Sequence, residues 1–104
     1  MRDAQDSKEA ILLRRARRCV KKGDYRGAAV ALKKRVSIVD DAPSWVQLGD
    51  MLRRARREQE ALRALKQALY RHRRAGALGR VRTVARMIVD IDPRDAQAQR
   101  HVLH

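Results

Sequence analysis

Trp45-Val46-Gln47-Leu48-Gly49-Asp50-Met51-Leu52 is the stretch on which the reading of this chain turns. Leu48, Leu52 and Ala55 recur at helical spacing, with Gly49 in their midst. A glycine inside a helix costs about 1 kcal/mol relative to alanine, so its place there implies a second helix crossing close by. Downstream, Ala61, Leu65, Ala68 and Leu69 carry the same period, with Ala61 following Trp45 by 16 residues, Leu65 by 20 and Ala68 by 23. The arrangement recurs 33 residues earlier. Gly23-Asp24-Tyr25-Arg26-Gly27-Ala28 leads to Leu32, so that Ala28 corresponds to Ala61 and Leu32 to Leu65. By the same shift Leu12 matches Trp45, Ala16 matches Gly49 and Cys19 matches Leu52. A recurring small residue on each of two successive helices is the signature of helix pairs that stack.

Outward from this repeat the periodicity stays helical. Leu12, Ala16, Cys19 and Val20 form one apolar stripe, and Val81, Val84, Ala85, Ile88 and Val89 form another. Residues 36–39 (VSIV) are the one candidate strand, but they close a helical pattern ahead of an Asp-Asp-Ala-Pro turn. Breakers fall at Gly23-Asp24, at Asp40-Asp41-Ala42-Pro43 with Ser44 as the expected cap, weakly at Arg56-Arg57-Glu58, at Gly76 with Gly79 nearby, and at Asp92-Pro93 with Asp95 opening the last segment. The reading is therefore all-α, with helices near 7–22, 25–38, 44–56, 58–75, 77–91 and 94–103. Connections this short make successive helices antiparallel neighbours.

The W-x2-L-G-x2-L stretch, with Ala61, Leu65 and Ala68 behind it, resembles the tetratricopeptide repeat, a helix–turn–helix unit of about 34 residues. The resemblance covers roughly residues 8–93 and implies a short right-handed solenoid in one domain. Repeat 1 spans about 8–41, repeat 2 about 42–75, and a degenerate third pair or cap about 76–104. Asp90-Ile91-Asp92-Pro93 also looks like a repeat ending, which would make 62–91 a unit overlapping the second repeat. Arg15 departs from the pattern where Leu48 has its counterpart, and Pro43 lies later than the family's closing proline. In the family, first-helix positions line a groove that holds a peptide. The resemblance thus points to Leu13, Arg14, Arg17 and Lys21 and to Val46, Asp50, Arg53 and Arg54. Asp50 has a plainer role open to it, an ion pair with Arg53 or Arg54. The family's carboxylate clamp uses Lys and Asn, and this chain has no Asn.

Charge gives the partner's sign. The 104 residues hold 26 Lys and Arg, 20 of them Arg, against 12 Asp and Glu, a formal net charge of +14. The acids sit mostly at turns and helix starts, where they complement the helix dipole; the helix bodies are basic. Residues 53–86 alone carry 12 bases against two acids. This excess fits an acidic peptide or protein partner. The alternative is the phosphate backbone of nucleic acid, met by Arg71, Arg73, Arg74, Arg80, Arg82 and Arg86. A third reading is association with an anionic membrane surface or a filament. Trp45 and Tyr25 fall on core positions of the repeat, which leaves few rings for stacking on bases.

Several classes drop out. No apolar run exceeds five residues (28–32), far short of the ~18–20 that span a bilayer. Residues 1–6 (MRDAQD) are polar, unlike a secretory leader, and a single cysteine makes no internal disulfide; a cytoplasmic location is expected. Cys19 reads as a structural thiol at a helix–helix contact. His101 and His104 read as exposed terminal residues, with no Cys or carboxylate to complete a zinc set, so neither a metal nor another cofactor is expected. With no phosphate-cradling loop, triad or acidic pair, an enzyme is not expected. The oligomeric state is not written in the sequence.

Overall fold

A computed structural model describes residues 7–103; residues 1–6, the polar opening read above, and His104 lie outside them. The described residues are all-α, with six helices: α1 (Lys8–Lys21), α2 (Tyr25–Val36), α3 (Ala42–Arg54), α4 (Glu58–Arg74), α5 (Leu78–Ile91) and α6 (Ala96–Leu103). No strand occurs among the described residues, and 36–39 instead runs out of α2 into a turn.

The starts follow from local chemistry. Ser7 Oγ, Asp24 Oδ1, Asp41 Oδ1 and Asp95 Oδ1 each accept from the backbone N–H three residues on, at 3.2, 2.8, 2.9 and 2.9 Å. Such caps satisfy an otherwise orphaned donor and are worth ~1 kcal/mol each. The third cap corrects the sequence reading, because Asp41 rather than Ser44 caps α3. Pro43 then falls in the first turn, where its missing N–H costs nothing. Ser44 is left buried, with its hydroxyl free for another partner.

Three of the connections are copies of one turn. Gly23, Arg56 and Gly76 all take a left-handed φ, of 74°, 63° and 69°. In each, the next residue's N–H reaches back to the last turn of the preceding helix: Asp24 to Cys19, Arg57 to Leu52 and Ala77 to His72, at 2.8, 2.8 and 3.0 Å. Glycine adopts this φ freely, whereas arginine there is strained by about 1–2 kcal/mol. The α2–α3 and α5–α6 connections are longer and bend differently. The turn joining α4 to α5 is thus built like those within the first two pairs.

Each helix packs chiefly on the helices before and after it in the chain. The result is solenoid-like, 49 × 29 × 18 Å, with a radius of gyration of 14.5 Å against about 13 Å for a compact chain of this size. Alternate helices lie side by side. Arg53 of α3 reaches Asp90 of α5 at 3.9 Å, and Lys66 of α4 reaches Asp95, the cap of α6, at 2.8 Å. So α1, α3 and α5 form one layer and α2, α4 and α6 the other.

Close approach within the second pair depends on Gly49. A Cβ there would stand 2.8 Å from Cγ and Cδ2 of Leu65, a fully buried residue. The core has two parts. One gathers Ala16, Ala28, Leu32, Leu48 and Leu52; the other gathers Leu65, Leu69, Val81, Val84 and Ile88. Trp45, half-buried, packs against both.

Candidate functional site

The residues read as a groove lie on α1 and α3, in the same layer. Leu13 and Val46 are half-buried at the edges of the two core clusters. Arg14, Arg17, Lys21, Arg53 and Arg54 are exposed and Asp50 is half-buried. The two helices differ in how their charges are spent. Asp50 accepts from Arg54 at 3.4 Å, one turn along, the plainer of its two expected roles. The Arg54 guanidinium also lies 5.6 Å from the Tyr25 ring centre, and Arg53 faces Asp90. On α1, by contrast, Arg17 and Lys21 have no carboxylate partner among the described residues.

Between these helices lies a residue the periodicity did not flag. Arg35, at the end of α2, sends its guanidinium up between α1 and α3. It donates to Glu9 at 2.8 Å, to Ser44 Oγ at 2.8 Å and to Gln47 at 3.4 Å. Its side chain is only 12% exposed. A buried guanidinium needs several acceptors to offset its lost hydration, and here two helices supply them. The partners lie 26, nine and 12 residues away, so no local pattern signals the tie. A second unflagged residue is His72, buried near the end of α4. It forms the floor of a cleft of about 450 Å³ between α3 and α5, beside Val46, Gln47 and Arg80. Burial, and then the positive charge of Arg80, hold its imidazole below the ordinary histidine value.

The basic residues of 53–86 are spread along the molecule. α4, with 17 residues, is about 25 Å long, with Arg63 and Lys66 near its middle and Arg71, Arg73 and Arg74 at its end. Arg71 also leaves the expected phosphate-binding group. It donates to Asp40 at 2.7 Å and lies 5.3 Å from the Trp45 ring centre. The Trp45 indole N–H donates to the same carboxylate at 2.6 Å. The indole hydrogen bond, and then the one from Arg71, hold Asp40 below the usual carboxylate range. Arg73, Arg74, Arg80 and Arg82 do gather around the α4–α5 turn, and Arg86 lies a turn further along α5. Arg74 donates to the Tyr70 hydroxyl at 2.9 Å and lies over its ring, and Tyr70 remains exposed.

The opposite layer holds a wider cleft, of about 580 Å³, between α2 and α4 with α3 as its floor. Val36, Trp45, Leu48, Leu52 and Ala64 line its base, and Lys33 and Arg63 stand on its two sides. A smaller cavity of about 190 Å³ adjoins it, sharing Lys33, Leu52 and Glu60 and running on to Arg26 and the exposed Val30. No residue of the expected groove lines either cavity.

The remaining sites are plain. Cys19 is half-buried against the first core cluster. His101 is half-buried rather than exposed, and it too has an interaction partner. Among the described residues no three His, Cys, Asp or Glu are grouped to hold a metal ion, and no helix is long and apolar enough to cross a membrane. No protein-family model matches the chain, and no curated protein sequence matches it.

Proposed function

We propose that this chain is a non-catalytic adaptor of the tetratricopeptide-like class that binds an acidic peptide or protein partner. The observation that carries the reading is the contrast between α1 and α3. The α3 cations are matched by Asp50 and Asp90, while on α1 Arg17, at the position of Asp50, and Lys21, at that of Arg54, face solvent without a described carboxylate. Unmatched cations on a rigid helix favour an incoming carboxylate at no cost of breaking an internal pair. The partner then lies along the α1–α3 layer, over Leu13 and Val46. The lone Cys19 suits a reducing compartment such as the cytoplasm. The test is capture of acidic partners by the chain and by its Arg17→Glu/Lys21→Glu variant. Capture should fall about tenfold or more in the variant, and unchanged capture would sink the reading. Reversing Arg53, already paired, should matter less.

The second reading is phosphate-backbone binding, favoured by the gathering of Arg73, Arg74, Arg80 and Arg82 around one turn, with Arg86 further along α5. With five phosphate contacts the affinity for duplex DNA would fall with salt at a log–log slope of about −4.5. A titration at low and moderate salt decides, and absence of salt-sensitive binding at micromolar protein removes it.

A further inference from the structure

We infer that the α2–α4 cleft is a second docking site, which takes a peptide segment presenting one or two large apolar side chains flanked by carboxylates. The inference goes beyond the adaptor reading, since it concerns the opposite layer and binding by a buried anchor rather than by surface charge.

The cleft exists because α2 and α4 are neighbours that do not close on each other. Both pack on α3, and the residue α4 sets at the base is Ala64, too short to fill the gap, with Glu60, Arg63 and Gln67 along its side. The base is apolar. Val36, Leu48 and Leu52 are buried, and the half-buried Trp45 adds the largest ring in the chain. A volume of about 580 Å³ admits two or three large side chains rather than a whole domain. Val30, 54% exposed at the far end of the adjoining cavity, extends the apolar strip along α2.

Charge selects the occupant. The rim carries two cations, Lys33 on α2 and Arg63 on α4, and two acids, Asp40 and Glu60. The acids are already engaged by other groups of the chain. Asp40 is bonded by Trp45 and Arg71, and Glu60 is bonded by Arg57 at 2.7 Å. Glu60 also feels the charges of Lys33 and Arg63, but neither cation makes an ion pair with a described residue. Arg26 lies beyond them at the end of the smaller cavity. The trough therefore presents an apolar base between cations that face each other across it. A neutral apolar ligand would leave those cations unused, and a purely acidic one would leave the base wet. A segment with an apolar anchor between carboxylates satisfies both.

Trp45 is the chain's single tryptophan and lines the cleft, so its fluorescence reports occupancy directly. The probe is an acetylated, amidated hexapeptide of sequence Asp-Glu-Leu-Phe-Glu-Asp, which has no tryptophan of its own. The expected result is a saturable change in Trp45 emission. Binding should weaken about tenfold when Leu and Phe of the probe become Ser, and about tenfold again in the Lys33→Glu/Arg63→Glu protein. Both changed side chains are exposed, so the variant keeps its helical circular dichroism. Ala64→Leu, which fills the slot from its base, should also block the probe. A melting curve shows whether that variant is folded, and the charge reversal decides the matter if it is not. The inference is overturned if emission does not change up to millimolar probe, if the Ser probe binds as well, or if the cleft variants bind normally. Displacement of the probe by duplex DNA with no difference between the Phe and Ser probes would overturn it in favour of phosphate binding. Loss of probe binding in Arg17→Glu/Lys21→Glu but not in the cleft variants would sink the cleft and leave the adaptor reading standing.

Discussion

The two clear helix pairs, α1–α2 and α3–α4, are the same object built with different priorities. Thirty-three residues apart, their corresponding positions are Ala16 and Gly49, Arg17 and Asp50, Lys21 and Arg54, Gly23 and Arg56, Asp24 and Arg57. The first pair has a relaxed turn: Gly23 takes the left-handed φ, and Asp24 caps α2. The second puts Arg56 in that conformation and begins α4 at Arg57 with no side-chain cap. In exchange the second pair packs more tightly, with Gly49 set against Leu65, and matches the cations of its first helix. The first pair leaves Arg17 and Lys21 to solvent. Turn quality, packing and surface charge are therefore separable within one repeat. The central pair, which touches neighbours on both sides, carries the packing, while the outer pair carries the unmatched first-helix cations.

That division can be broken by substitution. Leu65→Ala should cost about 3 kcal/mol or more, measured by denaturant unfolding, because the side chain is wholly buried at the tightest crossing. Gly49→Ala should cost about 1–3 kcal/mol through overpacking against Leu65. In the double variant the two losses should fall short of additivity, since the shortened residue 65 makes room for the new methyl. Full additivity would mean that Gly49 is not there for close approach. The corresponding change in the first pair, Ala16→Gly, should cost only about 1 kcal/mol, a propensity effect.

The turns give the next effect, of opposite sign in the two pairs. Arg56→Gly should stabilise by about 0.5–1 kcal/mol, and Gly23→Arg should destabilise by about 1 kcal/mol or slightly more. If Arg56→Gly brings no gain in melting temperature, the left-handed arginine is held by contacts that offset its strain.

A smaller effect separates α4 from both α1 and α3. His72 stands, relative to its turn, where Cys19 and Leu52 stand relative to theirs, each accepting the same turn-closing backbone bond. Its imidazole is held neutral by burial and by Arg80, so the unfolded chain binds its proton more readily. Stability should then fall as the pH drops below about 6.5 and continue falling through the lower folded value. His72→Leu should flatten that part of the profile. Below about pH 4 a second loss belongs to Asp40, Asp41 and Asp95, whose carboxyls are held below the ordinary range by their hydrogen bonds; the His72 variant should leave it in place.

Helix number and the Asp95 cap were legible because each rests on residues within a few turns of one another. The cap of α3 was misread because Ser44 and Asp41 are both good caps, and the choice falls to whichever lets Pro43 into the first turn. Arg35 was invisible for a different reason. Its acceptors come from two other helices, and one of three successive basic residues in the last turn of α2 (Lys33, Lys34, Arg35) reads as a favourable dipole partner. The α2–α4 cleft was also out of reach, because it is a property of the gap between two helices that are not sequence neighbours.

The neighbour-to-neighbour packing has a consequence in time. Helices that rest chiefly on those beside them in sequence require only short loops to close, and short closures are quick and entropically inexpensive. A chain wired in this way should fold in microseconds to milliseconds. The first pair can form its own contacts before the second has been synthesised, so order would spread from the amino-terminal hairpin as the chain emerges.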